Sequence, residues 1–373
     1  MKFRKLWILA AVLVIASLFI SACGSNETPT EDVEESFVYP GVTEDLSIPP
    51  TLAPTLTPVP TLTPTPTELP GPSPTPTNTL NPYDTLIFNG LLLFETDKLD
   101  EALELFNQAI QMDSTLAEAY YQRSRVYLGK RMFAEAITDS NFAINFNPDD
   151  PRPYNTRAVA YANQQSLNQA LNDLNKAIAL DPQYGDAFVN RAIVSIAQEE
   201  LEKALEDFNV AASIQPEDVE IYFQRGQVYN GLKNLEAALT DFNKVVELAP
   251  EGTDGYFQRG NVYIEIGELD KALEDFATVI KLDPENLEAY SSRGLIFLTQ
   301  EKYEEAINEF SQVINKNPEI LEAYFFRALA YNALAEKENA RKDLTYVIEN
   351  TTSADLKEKA TTILNGLDAT PTP

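Results

Sequence analysis

The sequence predicts an all-α protein built from eight consecutive helix-turn-helix units of equal length, followed by one final helix. Two periodic features carry this prediction. Helix-breaking prolines recur at one constant spacing, at Pro148, Pro182, Pro216, Pro250, Pro284 and Pro318. An alanine recurs with the same period, at Ala102, Ala136, Ala170, Ala204, Ala238, Ala272, Ala306 and Ala340. Because two short helices cannot bury their own apolar face, such units are expected to stack on one another.

The first helix of each unit carries two further periodic positions. One holds a large apolar residue, usually tyrosine: Leu86, Tyr120, Tyr154, Phe188, Tyr222, Tyr256, Tyr290 and Tyr324. The other holds a small residue: Gly90, Ser124, Ala158, Ala192, Gly226, Gly260, Gly294 and Ala328. With alanine and phenylalanine on the second helix and proline closing the unit, this pattern resembles the tetratricopeptide repeat, whose period is about 34 residues. The resemblance implies a right-handed superhelical solenoid whose concave face is lined by the first helix of each repeat.

The period sets the expected boundaries along the chain. The eight repeats are residues 83–116, 117–150, 151–184, 185–218, 219–252, 253–286, 287–320 and 321–354. After them, an apolar stripe that includes Leu356, Ala360 and Leu364 predicts a capping helix over residues 355–367. The last residues, 368–373, are expected to be disordered.

Residues 1–22 have the pattern of a secretory signal peptide, with a basic start and a long apolar run. The ending Ile20-Ser21-Ala22-Cys23 resembles the lipobox of bacterial lipoproteins, in which the cysteine is acylated and begins the mature protein. Cys23 is the only cysteine of the chain. An uncleaved membrane anchor is the alternative interpretation. Both interpretations place the rest of the chain outside the cytoplasm, because the positive charges stay inside.

Residues 23–82 are expected to form a disordered stalk. This segment is acidic up to about residue 48 and rich in threonine and proline from Pro49 to Pro82. Alternating prolines prevent a helix and favour an extended chain that rises about 3.1 Å per residue. The stalk is therefore expected to hold the repeats away from the membrane.

Composition excludes several classes of function. The chain has 28 Lys+Arg against 57 Asp+Glu, a formal net charge of −29, which disfavours nucleic acid and attraction to anionic membranes. It has no histidine and one cysteine, which excludes histidine-based catalysis and the common zinc sites. The uninterrupted repeats leave no loop for an active-site pocket. We therefore expect no enzyme, no metal and no cofactor, and membrane attachment through the N-terminal lipid only.

Arginine and an acidic residue recur in step along the repeats. The arginines are Arg123, Arg157, Arg191, Arg225, Arg259, Arg293 and Arg327, and an acid follows each of them at a constant interval, at Asp139, Asp173, Asp207, Asp241, Asp275, Glu309 and Asp343. The arginines share a helix face with packed aromatic residues, so each is expected to be partly buried and paired within its repeat. An anion-binding series of arginines is the alternative.

The concave face is the expected binding surface for a partner protein. Its candidate residues are Tyr121, Gln122, Arg125, Asn155, Asn190, Phe223, Gln224, Gln227, Asn230, Phe257, Gln258, Asn261, Ser292 and Phe325. Carboxamides donate and accept hydrogen bonds, so a row of them beside aromatic rings suits an extended peptide or a partner helix. The acidic body favours a neutral or basic partner. Solvation of an open groove is the alternative role for these residues.

Together these features predict a membrane-tethered, extracytoplasmic interaction scaffold of the cell envelope. An assembly factor for an envelope machine, such as a pilus, secretion or outer-membrane complex, is the alternative function.

The lipobox resemblance makes a direct prediction about Cys23. Mass spectrometry of the mature protein is expected to find a chain that begins at Cys23 and carries acyl groups. Cys23→Ser is expected to leave the signal peptide attached, because acylation needs the thiol. A mature chain that starts elsewhere and carries no lipid contradicts the assignment.

Overall fold

The computed structural model describes residues 81–368, which form 17 α-helices and no strand. Cys23, the signal peptide, the stalk up to residue 80 and the tail from residue 369 lie outside the described residues. The helices are α1 (Pro82–Glu95), α2 (Leu99–Met112), α3 (Ala117–Gly129), α4 (Phe133–Phe146), α5 (Pro151–Asn163), α6 (Leu167–Leu180), α7 (Gly185–Ala197), α8 (Leu201–Ile214), α9 (Val219–Gly231), α10 (Leu235–Leu248), α11 (Thr253–Glu265), α12 (Leu269–Leu282), α13 (Leu287–Thr299), α14 (Tyr303–Lys316), α15 (Leu321–Ala333), α16 (Lys337–Asn350) and α17 (Ala354–Asp368).

Each odd-numbered helix from α1 to α15 packs against the even-numbered helix that follows it, which gives eight helical hairpins. The predicted all-α fold of paired helices is thus confirmed, and α17 is the predicted final helix. The described residues group into two compact units, residues 81–216 with α1 to α8 and residues 217–368 with α9 to α17. Within each unit, consecutive hairpins pack against each other.

The turn inside every hairpin has the same backbone form. One residue takes a positive φ in each turn, at Asp97, Arg131, Gln165, Glu199, Lys233, Gly267, Glu301 and Ala335. In the first turn the Lys98 N–H donates to the Leu93 carbonyl at 2.9 Å, so the chain closes the end of the helix and reverses direction. Only the sixth of these turns, at Gly267, has the residue type for which a positive φ costs nothing.

The connections between hairpins hold the periodic prolines. Each proline lies in the turn after an even-numbered helix, where it cannot extend that helix. Acceptors then start several of the odd-numbered helices: Asp150 accepts from the Arg152 N–H at 2.9 Å, and Asp218 from the Glu220 N–H at 3.0 Å. These side chains satisfy N–H groups that have no partner in the first turn of a helix.

The core repeats with the chain. The eight periodic alanines of the even-numbered helices are fully buried. Beside them lie large buried side chains, which are Phe106, Leu174, Phe208, Phe242, Phe276, Phe310 and Leu344. A Cβ atom at Gly294 would lie 2.8 Å from the Phe310 ring, and one at Gly90 would lie 2.6 Å from the Phe106 ring. Glycine on the first helix therefore makes room for phenylalanine on the second, and burying such a ring contributes about 2–3 kcal/mol.

The hairpin turns allow a matched pair of substitutions within the 217–368 unit. Ala335→Gly is expected to raise the free energy of unfolding by about 0.5–1 kcal/mol, because glycine adopts a positive φ without strain. Gly267→Ala is expected to lower it by about 1 kcal/mol for the same reason. Urea denaturation followed by circular dichroism measures both changes. Equal effects of the two substitutions in the same direction contradict this account of the turns.

Candidate functional site

The arginines of the odd-numbered helices form ion pairs with the acids of the even-numbered helices in the same hairpin. The seven pairs are Arg123–Asp139, Arg157–Asp173, Arg191–Asp207, Arg225–Asp241, Arg259–Asp275, Arg293–Glu309 and Arg327–Asp343. In Arg259, Nε donates to Asp275 at 2.9 Å and Nη2 donates to the second oxygen at 2.6 Å. The predicted pairing is confirmed, and we call this series the arginine ladder.

A second contact of the arginine ladder joins neighbouring hairpins. Nη1 donates to an asparagine on the preceding even-numbered helix: from Arg123 to Asn107, from Arg157 to Asn141, from Arg191 to Asn175 and from Arg259 to Asn243, at 2.6 to 2.8 Å. This contact was not predicted. Its signal was present, because these asparagines recur with the same period as the arginines.

Aromatic rings complete the surroundings of these guanidinium groups. The Arg157 guanidinium carbon lies 5.6 Å from the centre of the Tyr154 ring, and that of Arg259 lies 5.5 Å from the Tyr256 ring. The arginine side chains are 15–26% exposed. With a bidentate carboxylate, an amide acceptor and a ring, such a guanidinium has little left to offer an anion. The arginine ladder is therefore structural, and the anion-binding alternative loses its basis.

The pair Arg293–Glu309 makes fewer hydrogen bonds than the other pairs of the arginine ladder. Arg293 makes a single contact with Glu309, from Nη2 at 2.9 Å. Ala277 stands where the other hairpins supply asparagine or serine, and the Glu309 Oε2 atom is buried without a hydrogen-bond partner. Burial raises the pKa of Glu309 more than the nearby Arg293 lowers it. The seventh hairpin therefore holds its ion pair less firmly than its neighbours.

In the 81–216 unit, most of the predicted binding residues are buried and bonded to each other. Gln122, Asn155 and Asn190 are 3–5% exposed. Asn190 Nδ2 donates to Asn155 Oδ1 at 2.9 Å, and Asn155 Nδ2 donates to the Tyr184 hydroxyl at 3.3 Å. Gln122 donates to Glu118 at 2.6 Å. The expectation that these residues are exposed is therefore wrong.

Tyr121 in the same unit is also buried, contrary to expectation. The Arg152 guanidinium lies 4.7 Å from the centre of its ring and the Arg125 guanidinium lies 5.8 Å from it. Burial raises the pKa of Tyr121 and of Tyr184. Arg125 is half-buried, stacks on Phe94 at 4.8 Å and donates to Gln122 at 2.8 Å. Side chains of this unit thus occupy the surface that a partner was expected to contact.

Tyr184 contributes to this buried surface through its contact with Asn155, and it was not predicted to do so. It lies in the turn just before α7, at a position that other repeats fill with leucine, aspartate, glycine, asparagine or isoleucine. A large side chain there reaches the carboxamide of Asn155 on α5. The departure from the residue types of the other turns was the available signal.

The 217–368 unit keeps its predicted binding residues accessible on α9 and α11. Phe223 and Phe257 are half-buried, and each packs edge-on against a core ring, Phe242 at 6.2 Å and Phe276 at 5.5 Å. Gln227, Gln258 and Asn261 are half-buried as well, and their side chains make no hydrogen bond to any described residue. Gln224 donates to Glu220 at 2.6 Å, which leaves its carbonyl oxygen available. We call this set the amide groove.

Three predicted residues of this unit lie outside the amide groove or at its edge. Asn230 is half-buried, and its Oδ1 atom is enclosed without a hydrogen-bond partner. Ser292 is half-buried on α13. Phe325 is buried, contrary to expectation, because its ring packs against Phe326 at 5.5 Å within the core. Phe325 therefore stabilises the fold and is not available to a partner.

No helix within residues 81–368 is both long enough and apolar enough to cross a membrane. No group of three or more acidic, histidine or cysteine side chains in the same range could hold a metal ion.

Comparison with family models finds repeats along more than half of the chain. Residues 190–257 match a tetratricopeptide repeat model, residues 260–301 match a TPR repeat model, and residues 155–219 and 293–354 match a further tetratricopeptide repeat model. No curated protein matches the chain.

Several solved structures are similar to the chain. PilF of Pseudomonas aeruginosa is 16% identical, with a TM-score of 0.50, and the match covers 56% of this chain and 94% of PilF. YrrB, described as a TPR protein with an unusual peptide-binding site, is 28% identical with a TM-score of 0.45, over 49% of this chain and 95% of YrrB. A tetratricopeptide repeat protein from Parabacteroides merdae is 22% identical with a TM-score of 0.46, over 66% of this chain and 98% of its own. The similarity to PilF supports the fold.

A double-mutant cycle tests the energetic role of the arginine ladder. Arg259→Met and Asp275→Asn are each expected to destabilise the protein by about 3 kcal/mol or more, because each leaves a charged or polar partner unpaired in a mostly buried place. The coupling energy between them is expected to exceed about 1 kcal/mol. The same cycle at Arg293 and Glu309 provides the comparison and is expected to give a smaller coupling. Coupling near zero at Arg259 and Asp275 refutes the pairing.

A substitution at Ala277 can restore the missing inter-hairpin hydrogen bond of Arg293. Ala277→Asn supplies the acceptor that Arg293 lacks and is expected to raise the free energy of unfolding by about 0.5–1 kcal/mol relative to Ala277→Val. Valine is the control because its helix propensity is close to that of asparagine and it has no acceptor. Thermal or urea denaturation measures the difference. Two variants of equal stability would show that the inter-hairpin contact contributes nothing here.

Proposed function

Because the chain belongs to the tetratricopeptide repeat family, we propose that it is a membrane-tethered scaffold of the cell envelope that binds a partner protein through the amide groove. The amide groove consists of Phe223, Gln224 and Gln227 on α9 and Phe257, Gln258 and Asn261 on α11.

The proposal rests on carboxamide side chains that have no hydrogen-bond partner among the described residues. They lie on the same helices as phenylalanine rings that pack against core rings. Gln227, Gln258 and Asn261 make no hydrogen bond to described residues, although they are half-buried. An extended peptide offers N–H and C=O groups in alternation, and carboxamides pair with both. Phe223 and Phe257 are already ordered by contact with core rings, so a partner side chain that packs on them does not have to order them.

The charges around the amide groove favour a neutral or basic partner. The arginines of α9 and α11, Arg225 and Arg259, are paired with Asp241 and Asp275. Glu220 and Asp254 lie at the starts of the same two helices. The groove therefore offers no free positive charge of its own, and an acidic peptide would meet like charge.

The sequence before α1 supports the proposed attachment to a membrane. The lipobox resemblance at Cys23 and the threonine- and proline-rich segment before α1 suit a body held at a membrane on a long stalk. Tethering raises the effective concentration of the groove over the reach of the stalk, so even modest affinity is sufficient for a partner in the same envelope.

A pull-down with the full chain tests the proposal. Gln227→Ala, Gln258→Ala and Asn261→Ala are combined in one variant, which is expected to fold because these side chains have no intramolecular hydrogen bonds. Wild type is expected to retain a specific protein from detergent-solubilised envelopes. The triple variant is expected to bind that protein at least about tenfold more weakly, since each lost hydrogen bond is worth about 1 kcal/mol.

The matched control removes three exposed amides from even-numbered helices: Gln169→Ala, Asn172→Ala and Asn308→Ala. This control is expected to bind as wild type does. Equal binding by all three proteins would move the contact away from the amide groove. The identity of the retained protein decides between a general scaffold and an assembly factor for an envelope machine.

A further inference from the structure

The outer face of the first helix carries exposed apolar side chains. Thr85, Phe88 and Leu92 lie at helical spacing on one side of α1, and all three are exposed. Phe88 is 60% exposed and Leu92 is 47% exposed, which makes Phe88 the most exposed large apolar side chain among the described residues. No described residue covers this face.

The same face is buried in the three hairpins that follow within the 81–216 unit. The residues that correspond to Leu92 are Val126, Ala160 and Val194, which are 0–2% exposed. The residues that correspond to Phe88 are Gln122, Thr156 and Asn190, which are 3–6% exposed. In the second hairpin, α3 turns this face towards the preceding hairpin and packs against α1 and α2. The outer face of α1 therefore has the form of a surface that receives another helical hairpin.

The last hairpin of the 217–368 unit does not leave such a face open. There α17 packs on α16, with Ala360 and Leu367 almost fully buried. Lys337 Nζ donates to the Leu367 carbonyl at 2.7 Å and fixes the end of α17. The C-terminal hairpin is thus covered by the additional helix α17, whereas no described helix covers the outer face of α1.

The chain directly before α1 is unsuited to supply such a helix. Residues 49–82 alternate threonine and proline, and proline within a helix removes a hydrogen bond and clashes with the preceding turn. This segment is therefore a poor source of a helical cover for α1, and another molecule is the simpler source.

The charge pattern favours this face over the rest of the surface as the place where a second copy of this chain can bind. Two copies with a net charge of −29 repel each other over most of their surface. The α1 helix carries only Asp84 and Glu95, near its two ends, and its outer face between them is uncharged. This neutral face is where two copies can approach at low electrostatic cost.

We infer that the outer face of α1 is a self-association surface, on which Phe88 and Leu92 pack against the same residues of a second copy across a twofold axis. The stalks of both copies then leave from Pro82, beside the contact, and both can reach one membrane. This surface shares no residue with the amide groove, and self-association does not depend on peptide binding there; only the reach of both stalks to one membrane rests on the proposed tether.

Sedimentation of the full chain in density-matched detergent tests the inference. With rising concentration, wild type is expected to shift from the mass of one mature chain to that of two. Phe88→Ser with Leu92→Ser is expected to weaken association at least tenfold. Leu232→Ser with Ile266→Ser is the matched control, since both residues are exposed and apolar but lie in other hairpins, and it is expected to associate as wild type does.

Cross-linking in isolated membranes provides the second measurement. Asn89→Cys places a thiol beside Phe88, and a bismaleimide is expected to link two chains above the background of the wild type, whose Cys23 thiol is expected to be acylated. Adding Phe88→Ser and Leu92→Ser is expected to reduce the product to that background, with unchanged helix content by circular dichroism. A wild type that stays monomeric in both measurements, or an association that the α1 substitutions leave unchanged, overturns the inference.

Discussion

A guanidinium enclosed between helical hairpins must find a partner for nearly all of its N–H groups, and the regularity of this protein depends on that requirement. Arg157 shows how it is met: Asp173 accepts two hydrogen bonds from within the hairpin, Asn141 accepts one from the hairpin before, and Tyr154 lies against the cationic plane. Leaving any of these donors unpaired in a mostly buried place is costly. The arginine ladder therefore fixes both the pairing of helices within a hairpin and the register between hairpins.

Much of this architecture could be predicted from the sequence, because the determinants lie within one period. The buried alanines and the arginine–acid spacing act inside a single hairpin, and the prolines lie in the turns that separate hairpins, so position in the repeat decides the environment. The contact from Arg123 to Asn107 was missed because it joins two hairpins, although its period was visible. Comparing residues across the boundary between repeats, and not only within them, would have revealed it.

The exposure of the binding residues could not be read from position in the repeat. Gln122 and Gln258 occupy the same place in their hairpins, yet the first is buried in the 81–216 unit and the second is half-buried in the 217–368 unit. The 81–216 unit contains side chains that the period does not specify, above all Tyr184 in a turn, which contacts Asn155, and Arg152 on α5, which lies against the Tyr121 ring. Repeats with similar sequences thus differ in their surfaces. In the 81–216 unit the polar side chains bond to each other, whereas in the 217–368 unit they remain accessible.

The contact between Arg and Asn of adjacent hairpins also bears on how such a chain can change in length. Arg123, Arg157, Arg191 and Arg259 each find an asparagine at the same distance in sequence. Removing or duplicating one whole hairpin among them therefore joins an arginine to an equivalent asparagine and preserves the contact. Nearly identical segments such as YFQRGQVY and YFQRGNVY, in adjacent hairpins, provide the matching ends for in-frame recombination of a gene. Whole-repeat gain and loss is therefore the least disruptive large mutation open to this protein, whereas an insertion of any other length displaces every partner at the site where it falls.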